Sequence, residues 1–144
     1  MSYPLASIEP RDEQLRALLE FDGEDGPITM LNLLRYAERA DYPSDFEAEP
    51  CSGREAYARY GKVAFKTLSG VGGRILWIGQ VALSLIAPQD EQWDDVVLVQ
   101  YPSRAAFLGM LQLEEYKAAA PHRTAALADS RLIASHQGMS ALGE

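Results

Sequence analysis

The stretch Tyr101-Pro102-Ser103-Arg104-Ala105-Ala106-Phe107 decides the fold of this chain. It follows a buried strand predicted over residues 93–101 and centred on Val96-Val97-Leu98-Val99. Ser103 is placed to cap a helix, because a serine hydroxyl can accept a hydrogen bond from a free amide of the first turn. The stretch therefore predicts a strand that turns directly into a helix.

The residues after this helix predict one more helix and a closing strand. Residues 114–127 form a second helical segment, which Pro121 must kink or start afresh, because proline lacks the amide that a helix interior needs. The last strand is predicted over residues 131–136. A strand, a helical pair and a closing strand make up half of a split β-α-β unit.

The first half of the chain supplies the other half of this unit. An apolar stripe in residues 11–21 predicts an N-terminal helix, and residues 28–36 are apolar on both faces, as in a central strand. Ser52 and Glu55 have the spacing of a capping box, so a helix begins there and ends at residues 70–73, which include three glycines. Residues 75–86 predict a long, bent strand that pairs with residues 93–101 as a hairpin. Residues 37–51 predict a long acidic loop, with a solvated surface excursion and a lid as the two alternatives.

Together these elements predict an α+β fold of the ferredoxin-like type, with the order β-α-β-β-α-β, an antiparallel sheet and an added N-terminal helix. We expect one domain over residues 1–144, made of a helical extension (1–26), a ferredoxin-like core (27–137) and a tail (138–144). The strands are apolar on both faces, but this fold covers only one of them with helices. We therefore predict a homodimer that packs sheet against sheet as a dimeric α/β barrel.

Composition excludes several classes of function. The 144 residues carry 13 basic and 21 acidic side chains, and the net charge of −8 disfavours nucleic acid as a partner. The apolar runs are too short to cross a bilayer, and the first residues do not have the pattern of a secretion signal, so we expect a cytoplasmic protein without a membrane partner. One cysteine and two histidines allow neither an internal disulfide nor a dedicated zinc site, and we predict no metal and no cofactor.

Several segments resemble the domain-of-unknown-function 1330 family over about residues 28–137. They are Gly53-Arg54-Glu55-Ala56-Tyr57, Gly72-Gly73-Arg74, residues 101–107, Glu115-Tyr116 and Asp129-Ser130-Arg131-Leu132. The family is similar to the dimeric α/β-barrel superfamily, which includes antibiotic-biosynthesis-type monooxygenases, muconolactone isomerase and haem-binding relatives. The resemblance implies the fold and the dimer, whereas members of this superfamily differ in chemistry. The N-terminal helix and the acidic loop depart from the short form of the family.

Polar side chains on otherwise apolar strands are the candidate substrate-binding residues. Asn32, Tyr36 and Gln100 each place a polar group on such a strand, which suggests a polar patch inside a barrel. An amide satisfied by neighbouring backbone explains Asn32 equally well. Trp77 offers a flat wall to an aromatic substrate, although a tryptophan in a strand is more often part of a core or a dimer interface.

His122 and Arg123 are the candidate catalytic residues, together with Tyr36. A neutral imidazole can accept a proton while a neighbouring guanidinium holds a carboxylate or an enolate. Adjacent helical residues diverge by about 100°, however, so the two need not face the same cavity and can instead lie on a surface turn.

Two functions remain open at this point. One is a small-molecule enzyme without a tightly held cofactor, similar to a monooxygenase or an isomerase, in which Asn32, Tyr36 and His122 share a cavity. The alternative is a non-catalytic ligand-binding or stress-associated dimer, whose cavity has no titratable group near the ligand.

Overall fold

The structure is a computed structural model that describes residues 6–137. The predicted tail (138–144) and the first five residues of the extension lie outside the described residues. The elements are α1 (Asp12–Leu19), β1 (Ile28–Tyr36), α2 (Gly53–Gly70), β2 (Arg74–Gln80), β3 (Asp95–Tyr101), α3 (Arg104–Gln112), α4 (Glu114–Ala126) and β4 (Leu127–His136).

The four strands form one antiparallel sheet in the order β2-β3-β1-β4. The last strand of each β-α-β half, β2 or β4, lies at an edge of the sheet, and β1 and β3 lie in the centre. This is the arrangement of the ferredoxin-like fold, so the predicted fold class is confirmed. The helix α1 is the addition that the sequence indicated.

The two predicted helix caps explain where α2 and α3 begin. The Ser52 hydroxyl accepts from the Glu55 amide at 3.1 Å, and the Glu55 carboxylate accepts from the Ser52 amide at 3.0 Å. The Ser103 hydroxyl accepts from the Ala106 amide at 3.0 Å. Both helices thus satisfy amides that their first turns would leave free.

Helices cover one face of the sheet, and the alternation of β1 shows which residues face them. Ile28, Met30 and Leu34 are buried in two apolar clusters that also contain residues of α2, α3 and α4. Leu31 and Leu33 alternate with them and so lie on the opposite face, which carries no helix. We call these two sides the helix face and the open face.

Three elements differ from the sequence predictions. The strand β2 ends at Gln80, well before residue 86, because its partner β3 begins at Asp95, opposite Gln80, and no strand is left to pair with the residues beyond. The helix α4 continues through Pro121, and its packing against α2 holds it together where one backbone hydrogen bond is lost. The strand β4 begins at Leu127, four residues earlier than expected, because Tyr36 pairs with Leu127 past an irregularity in β1.

The N-terminal extension is held against α3 by Arg104. This buried guanidinium donates to the carbonyls of Leu18, Phe21 and Gly23, and it lies 3.4 Å from the Asp25 carboxylate. Asp25 in turn accepts from the Arg104 amide at the N-terminus of α3. The extension is therefore attached to the core although α1 itself contains no buried residue.

Candidate functional site

A cavity of about 740 Å³ lies between the helix face of the sheet and the helices of the same chain. This volume falls in the range of small-molecule sites, about 300–1,000 Å³. Its apolar walls come from all four strands and from α2 and α3, and they include Met30, Val97, Leu68, Phe107 and Met110. Asn32 and Tyr36, two of the three residues of the predicted polar patch, line this cavity, which a single chain forms by itself.

A cluster of three side chains occupies one end of this cavity. The Tyr36 hydroxyl donates to Oδ2 of Asp95 at 2.7 Å, and Arg54 lies 3.3 Å from the same oxygen. The Arg54 guanidinium also stacks on the Tyr36 ring, 4.6 Å from its centroid. Burial, together with the hydrogen bond to Asp95, raises the pKa of Tyr36 well above its ordinary value, so this phenol stays protonated at neutral pH.

The second oxygen of Asp95 has no partner. Its Oδ1 is buried and makes no hydrogen bond to any of the described residues, although Asp95 lines the cavity. Leaving a buried carboxylate oxygen without a donor costs free energy, and such groups are uncommon outside functional sites. Oδ1 is itself buried, so a molecule in the cavity reaches it by displacing a neighbouring side chain, after which the oxygen can accept a hydrogen bond or a proton.

Asn32 lines the middle of the cavity. Its Nδ2 donates to the Val97 carbonyl on the neighbouring strand at 3.3 Å. For the NH₂ group of Asn32, the structure thus shows the alternative that we considered, an amide satisfied by neighbouring backbone. No hydrogen bond from a described residue reaches its Oδ1, so that oxygen can still accept one from a ligand.

Tyrosines of α2 and α4 form the wall opposite the sheet. The hydroxyls of Tyr60 and Tyr116 hydrogen-bond to each other at 2.9 Å. The Tyr57 hydroxyl makes no hydrogen bond within residues 6–137. Burial raises the pKa of Tyr57 and of Tyr60, so both are neutral hydroxyls that can donate or accept.

Arg123 and His122 point in different directions from α4. Arg123 lines the cavity and donates to the Ile8 carbonyl. His122 lies outside the cavity and meets the acidic loop, where its Nδ1 is 2.7 Å from the Tyr42 hydroxyl and its ring packs edge-on against Phe46. The expectation that His122 shares a cavity with Asn32 and Tyr36 is therefore not met, because a rotation of about 100° separates adjacent helical residues.

Trp77 and Gln100 lie on the open face, away from the cavity. The Gln100 side chain accepts from Nε of Arg74 at 3.0 Å, and the Trp77 ring lies over Gly79, where an added Cβ would come within 2.5 Å of the indole nitrogen. Between Ile75 and Trp77 the register with β3 shifts by one residue. This bulge turns Trp77 to the open face, so the substrate-binding role predicted for both side chains does not fit this cavity.

Asp95, Tyr57 and the N-terminal segment also line the cavity, although no sequence pattern singled them out. Residues 7–10 of this segment run past Arg123 and Ser130, and the Ser130 hydroxyl donates to the Ser7 carbonyl. Asp95 lies near the start of the predicted strand, and only the pairing of β3 with β1 places it opposite Leu34, two residues from Tyr36. The spacing of Tyr57 and Tyr60 can be seen in the sequence, but the same spacing is expected for helix side chains that pack into a hydrophobic core.

Within residues 6–137, no group of three or more His, Cys, Asp or Glu side chains is arranged to hold a metal ion. No helix in the same range is long and apolar enough to cross a membrane.

Comparison with known proteins identifies relatives of unknown function. Two crystal structures of the RPA0582 protein, described in one case as a protein of unknown function from Rhodopseudomonas palustris, are similar to the chain. The methylated form is 42% identical over 93% of this chain and 96% of its own, with a TM-score of 0.85. The other is 44% identical over 90% and 95%, with a TM-score of 0.83.

More distant comparisons say nothing about chemistry. A putative antibiotic biosynthesis monooxygenase from Caulobacter crescentus is 17% identical over 83% of this chain and 94% of its own, with a TM-score of 0.44, which is too low to support an argument. No curated protein matches the chain.

The family assignment rests on residues 51–136, which match the family described as Domain of unknown function (DUF1330). This match covers more than half of the chain and begins after β1, so Asn32 and Tyr36 precede it. The chain belongs to the DUF1330 family.

Proposed function

We propose that the chain is a small-molecule enzyme in which Asp95 takes a proton from a substrate held in the cavity. The substrate is an aromatic or conjugated compound with a carbonyl or phenol group. Abstraction of a proton next to that group starts an isomerisation, and it is also the first step of a monooxygenase-like reaction in which dissolved dioxygen, rather than a tightly held cofactor, is the oxidant.

The observation that carries this proposal is the unpartnered, buried Oδ1 of Asp95, a residue that lines the cavity. Tyr36 and Arg54 both bind Oδ2, which holds the carboxylate in one orientation and leaves Oδ1 as its free acceptor. Most of the cavity lining is apolar, and a hydrogen bond to that oxygen is stronger in such surroundings than in water.

Asn32 and Tyr57 supply the remaining polar contacts in this proposal. The free Oδ1 of Asn32 can accept from a substrate hydroxyl, and the Tyr57 hydroxyl can donate to an oxygen that becomes negative as the proton leaves. The aromatic rings of the α2 wall suit a flat substrate.

The test is proton exchange on a simple carbon acid. We expect the protein to accelerate deuterium exchange next to the carbonyl of 2-tetralone in D₂O, measured by NMR. A general base contributes about 10²–10⁴ in rate, so Asp95→Asn should remove at least about 10². Asp90→Asn, which changes an exposed acid of the loop after β2, is the matched control and should leave the rate unchanged.

Equal rates for the wild type and Asp95→Asn would contradict this role of Asp95. Binding of 2-tetralone without any exchange would favour the second candidate, a ligand-binding protein. The observation in favour of that candidate is the Tyr60–Tyr116 pair, whose hydroxyls satisfy each other and leave a wall that binds an apolar surface without reacting.

We also propose that two chains pair through their open faces. One row of large apolar side chains crosses this face from edge to edge: Trp77, Leu98, Leu31 and Ile133 are neighbours in register. Trp77 is 59% exposed and Ile133 is 51% exposed in the single chain. Apolar side chains in such a row favour burial against a partner, and a second copy offers the same row.

A further inference from the structure

We infer that the ligand of the cavity carries a carboxylate, which Arg123 and the Tyr57 hydroxyl bind while the rest of the molecule extends toward Asp95. This inference rests on the proposed function and names the substrate class for the same site: an aromatic or conjugated carboxylic acid. Nothing in the family description assigns such a site.

Arg123 has N–H donors that no described residue uses. A guanidinium has five N–H groups, and within the described residues Arg123 uses only Nη1, which donates to the Ile8 carbonyl. None of the described carboxylates lies within 4.0 Å of the Arg123 guanidinium. Arg131, in contrast, forms an ion pair with Asp129 at 3.0 Å. A half-buried cation at a cavity wall, without an anionic neighbour, is an attractive position for a carboxylate from outside.

One acid of the same cavity wall, Glu9, is already held by a hydrogen bond. Glu9 also lines the cavity, but its carboxylate accepts from the Thr124 hydroxyl at 2.7 Å, on the residue that follows Arg123. The hydroxyl therefore holds Glu9 in place, and the acid does not pair with Arg123. The guanidinium remains open to a ligand.

Tyr57 shares the cavity with both charged groups. Its ring packs edge-on against Tyr36, with centroids 5.5 Å apart, and the Tyr36 hydroxyl binds Asp95. The Tyr57 hydroxyl makes no hydrogen bond within residues 6–137, and burial raises the pKa of this phenol, so it stays protonated and can donate. A ligand with an anionic end and a proton-donating end therefore meets Arg123, Tyr57 and Asp95 in one cavity.

The charges around the cavity favour a ligand with a single anionic group. Arg54 pairs with Asp95 at 3.3 Å, so the carboxylate end of the cavity is neutralised by the protein itself. A second negative group on the ligand would meet Asp95 Oδ1, which has no donor to offer it. A monocarboxylate therefore fits better than a dicarboxylate.

The test compares matched pairs of carboxylates and amides by isothermal titration calorimetry at pH 7. The probes are 2-naphthoate, cinnamate and phenylacetate, each with its neutral amide. We expect the wild type to bind at least one carboxylate at least about tenfold more tightly than its amide, as for a charge-assisted hydrogen bond. Arg123→Gln should abolish this preference, Arg123→Lys should keep part of it, and Tyr57→Phe should reduce it.

Two further variants make the outcome decisive. Asp95→Asn should retain or increase the preference while losing proton exchange, so a failure of the catalytic proposal can be told apart from a failure of this one. Arg16→Gln, an exposed arginine of α1, is the charge-matched control and should leave the preference unchanged. The inference is overturned if no carboxylate binds the wild type more tightly than its amide, or if folded Arg123→Gln keeps the full preference.

Discussion

The contact between Tyr36 and Asp95 joins the fold and the candidate site at the scale of single residues. Tyr36 ends β1 and Asp95 begins β3, so their contact exists only because these two strands pair in one register. The backbone amide of Tyr36 also donates to the Asp94 carboxylate at 2.8 Å. Asp94 therefore holds the end of β1, while the Tyr36 hydroxyl orients Asp95, the proposed base.

Replacing Tyr36 with phenylalanine tests this contact through stability. Tyr36→Phe removes a donor from a half-buried carboxylate, and we expect the free energy of unfolding to fall by about 1–2 kcal/mol. Tyr57→Phe is the matched control, because the Tyr57 hydroxyl makes no hydrogen bond within the described residues, and its loss should be clearly smaller. Urea unfolding at pH 7 measures both, and equal losses would contradict the account.

His122 gives a second prediction, which concerns pH. Burial and the nearby Arg59 cation lower the pKa of His122 below its ordinary value of 6.5. Arg59 donates to the Tyr42 oxygen at 3.2 Å, so the Tyr42 hydroxyl can donate to Nδ1 of a neutral His122. A group with a lowered pKa in the folded state contributes stability above its unfolded pKa and loses it as the pH falls.

We therefore expect wild-type stability to fall more steeply than that of His122→Gln as the pH drops below 6.5. The measurement is urea unfolding of both proteins at a series of pH values, and their difference isolates this histidine from the carboxylates. Parallel curves for the two proteins would show that protonation of His122 is not linked to folding.

At the scale of elements, the start of α2 depends on a close backbone approach. A Cβ on Gly53 would meet the carbonyl oxygens of Ala37 and Ala126, the latter at 2.5 Å. The Gly53 amide donates to the Ala37 carbonyl at 3.1 Å. The end of β1, the start of α2 and the end of α4 thus meet at one glycine.

Gly53→Ala should destabilise the protein by about 1–3 kcal/mol or more, because rigid backbone atoms cannot move away from the added methyl group. Gly61→Ala, in the same helix, meets nothing within 4 Å and should stabilise by about 0.5–1 kcal/mol, since alanine favours a helix over glycine. Thermal unfolding compares the two, and a loss from both substitutions would contradict this explanation.

Sequence prediction succeeded for elements with local determinants. The cap pairs at Ser52 and Ser103 and the apolar run of β1 depend on neighbours in the chain, so their bounds could be predicted. The end of β2 could not, because it depends on where β3 begins. The face of Trp77 could not either, because a single-residue bulge between Ile75 and Trp77 reverses it.

The same distinction explains the candidate site. Asn32 and Tyr36 could be selected because polar groups on an apolar strand are visible in the sequence. Asp95 and Tyr57 required the pairing of distant segments, and the divergence of His122 from Arg123 required the helix to continue past Pro121. Roles that depend on tertiary contacts were beyond a single sequence.

At the scale of the whole molecule, the open face is an apolar surface that none of the described helices covers. The loop after β2 also exposes large apolar side chains, since Leu85 is 86% exposed and Ile86 is 96% exposed. The covered helix face and the apolar open face together suit a dimer whose cavities lie on the outer side of each sheet.

A charge in the middle of the apolar row should separate the two copies. We expect the wild type to be a dimer and Trp77→Glu to be a monomer by light scattering after size-exclusion chromatography, because a buried glutamate without a partner is costly. Leu19→Glu, on the exposed side of α1, is the matched control and should remain a dimer. A monomeric wild type, or a dimeric Trp77→Glu, would contradict pairing through the open face.

The measurement that tests the central claim most directly is a crystal structure of the protein soaked with 2-naphthoate. The account predicts density between the helix face and α2, with the carboxylate against Arg123 and the Tyr57 hydroxyl and the ring extending toward Asp95. A cavity closed by its own side chains, or naphthoate bound only on the open face, would contradict it.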